Sequence, residues 1–293
     1  MKENKQEIKY FVATELEKRL PFAITTYEEI MKTDHIFTPS LRDFHVIFWI
    51  KKGVGEYFLD FKKYEFKAGT IIFLSKDQLH YFLPFKPDET EIISIGFKPE
   101  VIYRNDLGLE HLFKFNSNSY QTARQTIPVP LAEAVHFQKY FDDLMLISQS
   151  WKKEYQYKGF YHNLCLFLLK CEIVQEYQNE INGEAQNNNL ADYLAFSQLL
   201  EQHYKTEFKV AFYLEEMNMS LKMLTKLTKA YYKVSPKSVI DERRILEIKR
   251  LLKGTSKSSK VIAYELQFDE PTNMFKFFKK HMGVTPKEFK NQV

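Results

Sequence analysis

The stretch VIAYELQFDEPTNMFKFFKKHMGVTPKEFK, residues 261–290, decides how the chain is read. Ile262, Ala263 and Leu266 form one apolar stripe, Phe268 follows a break, and Met274, Phe277 and Phe278 form a second stripe. Residues three and four apart share a helix face, so the spacing predicts helices over Ser259–Leu266, Thr272–Met282 and Pro286–Lys290. Gly283 is placed to end the second, and Pro286, after Thr285, to open the third. On the second helix Thr272, Asn273, Lys276, Lys279 and Lys280 fall opposite the apolar stripe. An apolar stripe that seats a helix, backed by a polar and cationic stripe that reaches base edges and phosphates, is what a DNA-recognition helix requires.

A lone lysine-rich face is ordinarily only solvated. Here the same grammar recurs about 50 residues upstream, in Val210–Tyr232. A first helix carries Ala211, Tyr213 and Leu214, a short turn falls at Asn218-Met219, and Ser220 is placed to cap a second helix. Leu224, Leu227 and Tyr231 share the inner face of that helix, and Lys222, Thr225, Lys226 and Lys229 share the outer one. The intervening helix, Pro236–Lys253, opens after Ser235, and Gly254 is placed to end it. It spans roughly 27 Å at ~1.5 Å per residue, of the order of the ~34 Å DNA turn that separates successive major grooves on one face. A further helix is expected at Leu190–Tyr204.

Residues from about 194 to 290 resemble the DNA-binding domain of AraC/XylS-type transcription regulators. The resemblance lies in RRILEIKRLLKG (243–254) and in the second unit, through Ala263, Phe268, Phe278-Lys279 and Gly283-Val284-Thr285-Pro286. The chain departs from the family pattern at Gln267, where the turn glycine usually stands, at Ile248, in place of a common alanine, and at Thr228, in place of a usual phenylalanine. A non-glycine turn residue must accept a less comfortable φ. The resemblance assigns base reading to Lys222, Thr225, Lys226, Thr272, Asn273 and Lys276. Lysine donates to guanine O6 and N7, and asparagine pairs bidentately with adenine. Lys229, Lys279 and Lys280 are expected on phosphates. Arg243 and Arg244 are left open between phosphate contact and internal ion pairing.

Upstream, residues 22–97 change to short β-rich runs: Phe44–Ile50, Gly55–Phe61, Tyr64–Lys67, Thr70–Ser75, His80–Leu83 and Glu91–Phe97. Turns at Lys52-Gly53 and Ala68-Gly69 separate some of these runs, and this spacing favours a sandwich or small barrel. The segment resembles the cupin-like barrel that many such regulators carry ahead of the DNA-binding domain. His45, Trp49, Tyr57 and His80 are its candidate ligand-binding residues. A metal-binding cupin gathers three or four ligands, whereas only His45 and His80 stand near suitable strands, so neither metal, catalytic residue nor cofactor is expected. Leu131–Glu154 and Tyr157–Glu180 have helical spacing, with Leu164, Phe167, Leu168, Cys171 and Val174 on one stripe and Leu169 off it. Such a pair packs on itself or at a dimer interface.

The expected architecture is α+β: a tail (1–21), a cupin-like β-barrel (22–103), a helical dimerisation segment (104–180), a linker (181–189) and an all-α double helix-turn-helix domain (190–293). Charge divides at that linker. The whole 293-residue chain carries 42 Lys and Arg against 38 Asp and Glu, but 190–293 carries 19 against 12 and 1–189 carries 23 against 26. A basic module therefore follows a mildly acidic one, and the electrostatic partner belongs at the C-terminus.

The hydrophobic content of 44% and aromatic content of 16% exclude a disordered chain. Apolar runs such as Val46–Ile50 fall far short of the ~20 residues of a membrane span, and Met1–Lys9 lacks the apolar core of a secretory signal. Cys165 and Cys171, six apart on one helix, face different ways and are expected to stay reduced. Together these imply a cytoplasmic regulator, without membrane association. Its expected partners are double-stranded DNA, a small organic effector, a second copy of itself and the transcription machinery. Two readings stand beside it: a metal-dependent cupin enzyme with an accessory helical domain, and a ligand-independent DNA binder.

Overall fold

The structure is a computed structural model describing residues 9–11, 22–32, 35–98, 101, 126–181 and 189–291. The chain divides between Gln186 and Asn187 into two compact units.

The first unit has ten described strands: β1 (Lys9–Phe11), β2 (Phe22–Thr25), β3 (Ser40–Arg42), β4 (His45–Lys52), β5 (Val54–Leu59), β6 (Lys62–Lys67), β7 (Thr70–Leu74), β8 (His80–Phe82), β9 (Glu91–Phe97) and β10 (Thr126–Pro128). They form two five-stranded sheets, ordered β1-β3-β8-β5-β6 and β10-β7-β4-β9-β2. The sheets face each other as in the expected cupin-like arrangement, but strand pairing leaves them as two sheets rather than one closed barrel. A short helix, α1 (Tyr27–Met31), follows β2.

Side-chain alternation divides β4 between two cores. Val46, Phe48 and Ile50 meet Tyr57, Leu59, Phe66 and Phe82 of the opposite sheet. Ile47 and Trp49 point the other way, with Ile71, Phe73, Ile95 and Phe97, against α2 (Ala134–Ser150) and α3 (Lys153–Ile181). The unit is thus three layers, and the middle sheet is covered on both faces, which is why β7 is buried at every position. Stacked rings seat the helices: Phe22 on Phe160 with centroids 3.8 Å apart, and Trp49 on Phe141 at 5.1 Å.

Several elements differ from the sequence expectation. Within the supposed tail, Lys9–Phe11 is a strand paired in parallel with β3. The strand expected to reach Phe61 stops at Leu59, because Asp60 and Phe61 turn through positive φ (46° and 70°) and bring Leu59 opposite Lys62. No glycine marks this turn. Asp60 holds it instead: its carboxylate accepts from the Leu79 amide and the Gln78 side-chain amide, and its own N–H donates to Leu79 O. The helix expected to run to Glu154 breaks at Trp151-Lys152. Trp151 folds back on α3 at Gly159, where a Cβ would come within 2.8 Å of the indole.

The second unit is helical: α4 (Leu190–His203), α5 (Val210–Glu216), α6 (Leu221–Tyr232), α7 (Pro236–Gly254), α8 (Ser259–Glu265), α9 (Pro271–Met282) and α10 (Pro286–Asn291). Ser220, Ser235 and Ser258 each cap the following helix, accepting from the amides of Met223, Ser238 and Val261. Gly283, in the left-handed region at φ 75°, terminates α9. Gly254 does not act in this way: it is the last residue of α7, and the cap is Thr255 in extended conformation.

The two helix-turn-helix units share one turn. After α5 the chain pivots at Asn218 (φ 49°) and Met219 N–H donates to Leu214 O. After α8 it pivots at Gln267 (φ 53°) and Phe268 N–H donates to Ala263 O. Asparagine tolerates the left-handed region, while glutamine there is strained by roughly 1 kcal/mol. Gln267→Gly is therefore expected to raise the thermal midpoint of the second unit by a few degrees, as read by calorimetry; a lowered midpoint would show that the turn carries no strain.

Candidate functional site

Both second helices present the anticipated division. On α6, Leu224 and Leu227 are fully buried and Tyr231 nearly so, while Lys222, Lys226 and Lys229 are exposed and Thr225 is half-buried. On α9, Met274 and Phe278 are fully buried and Phe277 is half-buried, while Thr272, Asn273, Lys276, Lys279 and Lys280 are exposed. None of these six lysines has an ion-pair partner among the described residues, so their charge is directed at solvent. Thr228, where the family usually has phenylalanine, is fully buried, and its hydroxyl donates to Thr225 O at 3.3 Å. On α5, Tyr213 is buried but Ala211 is exposed, since two residues along a helix lie ~200° apart around it.

The two arginines of α7 are internal. Arg243 makes a bidentate pair with Glu201 (2.8 and 3.1 Å), a third bond to Glu247 at 3.0 Å, and lies 3.7 Å above the Tyr204 ring. Arg244 donates to Leu266 O at 2.8 Å and lies over Phe268 at 4.2 Å and Phe208 at 4.9 Å. It thereby fastens the turn of the second unit, through α7, to the segment that leads into the first. Leu221 and Met223, 56% and 55% exposed at the leading turn of α6, were not singled out from the sequence. They break the polar stripe, and an exposed apolar residue carries no periodic signal of its own.

The four candidate ligand residues of the β unit do not converge. Tyr57 and His80 point between the sheets, in diagonal register, since Tyr57 pairs with Phe82 and Leu59 with His80. His45 and Trp49 lie on the opposite face of β4, toward the helices: His45 is 5.5 Å from the Phe97 ring and Trp49 stacks on Phe141. A fully buried strand has no polar face, so alternation alone did not separate the two sides. Phe58 and Tyr81 stack on each other at 4.9 Å, on the side of their strands away from Tyr57 and Phe82.

His80 Nδ1 donates to Gln78 O at 2.9 Å, which leaves Nε2 as a buried acceptor without a partner among the described residues. Burial, reinforced by the nearby Arg42 guanidinium, holds the His80 pKa down at about 3, so the ring is neutral at physiological pH. Burial likewise pushes the Tyr57 hydroxyl up, and its oxygen is also unpartnered among the described residues. Cys165 and Cys171 are both free thiols. No described helix is long and apolar enough to cross a membrane.

Comparison with known proteins matches both halves. A family model described as an AraC-like ligand binding domain covers residues 23–150, and one described as a helix-turn-helix domain covers 213–292. The transcriptional regulator ExsA of Pseudomonas aeruginosa is 33% identical over 87 residues, which are 30% of this chain and 31% of that protein. The transcriptional activator RhaS of an Enterobacter species is 20% identical over 265 residues, 87% of each chain. Among solved structures, unsaturated fatty acid-bound ToxT of Vibrio cholerae is similar at 18% identity, covering 92% of this chain and 91% of that one, with a TM-score of 0.40. The order of the two matched domains agrees with the layered β unit and the repeated helix-turn-helix with its outward lysines, and the chain belongs to the AraC family of transcription regulators.

Proposed function

We propose that α6 and α9 enter successive major grooves of double-stranded DNA, with Lys222, Thr225, Lys226, Thr272, Asn273 and Lys276 reading bases and Lys229, Lys279 and Lys280 holding phosphates. The observation that carries this reading is the repetition of one turn geometry, each time followed by a helix whose outer lysines have no ion-pair partner among the described residues. Counterion release tests it. Each neutralised phosphate adds about −0.9 to the slope of log K on log salt, so three such lysines set a slope of about −3 or steeper for the full chain. A flat slope would overturn the assignment.

The protein acts in the cytoplasm as a regulator rather than an enzyme, and its β unit binds a small organic effector. Tyr57 and His80 support the space between the sheets as the place: two buried polar groups in an apolar interior, without partners among the described residues, could take them from a ligand. The chain works as a homodimer in contact with the transcription machinery. Support for the dimer comes from α3. While Leu164, Phe167, Leu168, Cys171 and Val174 pack inward, Leu166, Leu169, Ile173 and Tyr177 form a second, exposed stripe at spacings of three and four. A helix apolar on two sides calls for a partner on the second. Leu166→Glu with Ile173→Glu is expected to convert a dimer to a monomer in sedimentation without loss of helicity; a wild-type chain that is monomeric at micromolar concentration would sink this part.

A further inference from the structure

Resting on the reading that α6 enters the major groove, we propose that Leu221 and Met223 make this helix a reader of thymine methyl groups. Both side chains stand in the first turn of α6, directly after the Ser220 cap, and each is more than half exposed. At ~100° per residue they flank Lys222 on either side, while Lys226 lies one turn behind it. The leading turn therefore offers two large apolar groups beside the cationic Lys222 and Lys226. Neither serves the core, which Leu224, Leu227 and Tyr231 fill.

The recognition helix of the other unit contrasts with it. Its leading turn offers Thr272 and Asn273, both exposed and both capable of hydrogen bonding. In the major groove the thymine C5-methyl is the apolar group on the base edges, and apolar side chains recognise it by contact. The two units consequently read by different chemistry: α6 by apolar contact beside its lysines, and α9 by hydrogen bonds to base edges.

The test begins with the DNA fragments that the full-length protein retains. Each thymine of the selected site is replaced singly by deoxyuridine, which removes the methyl and leaves pairing intact. One buried methyl is worth about a fourfold change in affinity, so wild type is expected to weaken about fourfold at one or more thymines. Leu221→Ala and Met223→Ala, which truncate exposed side chains and spare the fold, are each expected to erase part of that pattern. A flat uracil scan for wild type, a selected site without thymine, or a pattern unchanged in both variants would overturn the proposal. The Lys222→Ala, Thr225→Ala and Lys226→Ala triple variant separates this from the reading beneath it: unchanged site preference there removes α6 as a polar base reader, whereas lost preference with a flat uracil scan of wild type removes the methyl contact alone.

Discussion

A chain carrying Lys222→Ala, Thr225→Ala and Lys226→Ala together is expected to remain folded and to bind DNA, yet to lose its choice of site by at least about a hundredfold. The side chains are exposed or half-buried and the lysines have no ion-pair partner among the described residues, so their removal leaves the packing of Leu224, Leu227 and Tyr231 intact. Each good base contact contributes about 1–3 kcal/mol of discrimination, so losing three removes about 3 kcal/mol or more, which covers the ~2.8 kcal/mol of a hundredfold change. Residual affinity persists through Lys229, Lys279 and Lys280, whose phosphate contacts are indifferent to sequence. Competition between the selected site and a scrambled duplex measures the ratio. Unchanged discrimination would move base reading away from the outer face of α6.

The second large effect is structural. Arg244→Ala is expected to destabilise the C-terminal unit by about 3 kcal/mol, read from the denaturant midpoint. The charged guanidinium donates to Leu266 O, a bond of a kind worth about 1.5–3 kcal/mol. It also lies over the faces of Phe268 and Phe208, each contributing about 0.5–1 kcal/mol or more. Truncation strips the donor from the carbonyl that immediately precedes the strained pivot at Gln267, so α9 loses its orientation as well as its stability. Arg244→Lys restores the charge but not the planar stack, and is expected to recover less than half of the loss. A cost below about 1 kcal/mol for Arg244→Ala would show that the turn is held by other contacts.

Much of the helical half was legible because its signals are local. Ser220 and Ser235 cap where the sequence places them, the stripes of α6 and α9 point as periodicity requires, and Gly283 closes α9. Gly254 shows the limit: glycine permits a left-handed end without requiring one, and Thr255 closes α7 by another route. The β unit was legible in its longer strands and in β8. Strands of three or four residues such as β1, β2, β3 and β10 exist through pairing with neighbours that sequence order does not reveal. The turn at Asp60-Phe61 is held by bonds to Gln78 and Leu79, eighteen or more residues away. Arg243 and Arg244 were open on sequence because a basic helix face and an internal clamp are written with the same residues. Only Glu201, Glu247 and Leu266, brought beside them by the fold, decide between the two.

The doubly covered middle sheet would couple the two events proposed for this unit, binding between its sheets and pairing through α3. Along β4, Val46, Phe48 and Ile50 bound the space beside Tyr57 and His80, while Ile47 and Trp49, one residue out of phase, form the seat of α2 and α3. A molecule that spreads the sheets and a second copy that loads α3 would press on opposite sides of one backbone. Thermodynamic reciprocity then makes the two inseparable: by whatever factor occupancy of the interior shifts self-association, self-association must shift the affinity of the interior by the same factor. Dimer dissociation constants measured with and without an effector would thus report the ratio of its affinities for the two assembly states, with no DNA in the tube.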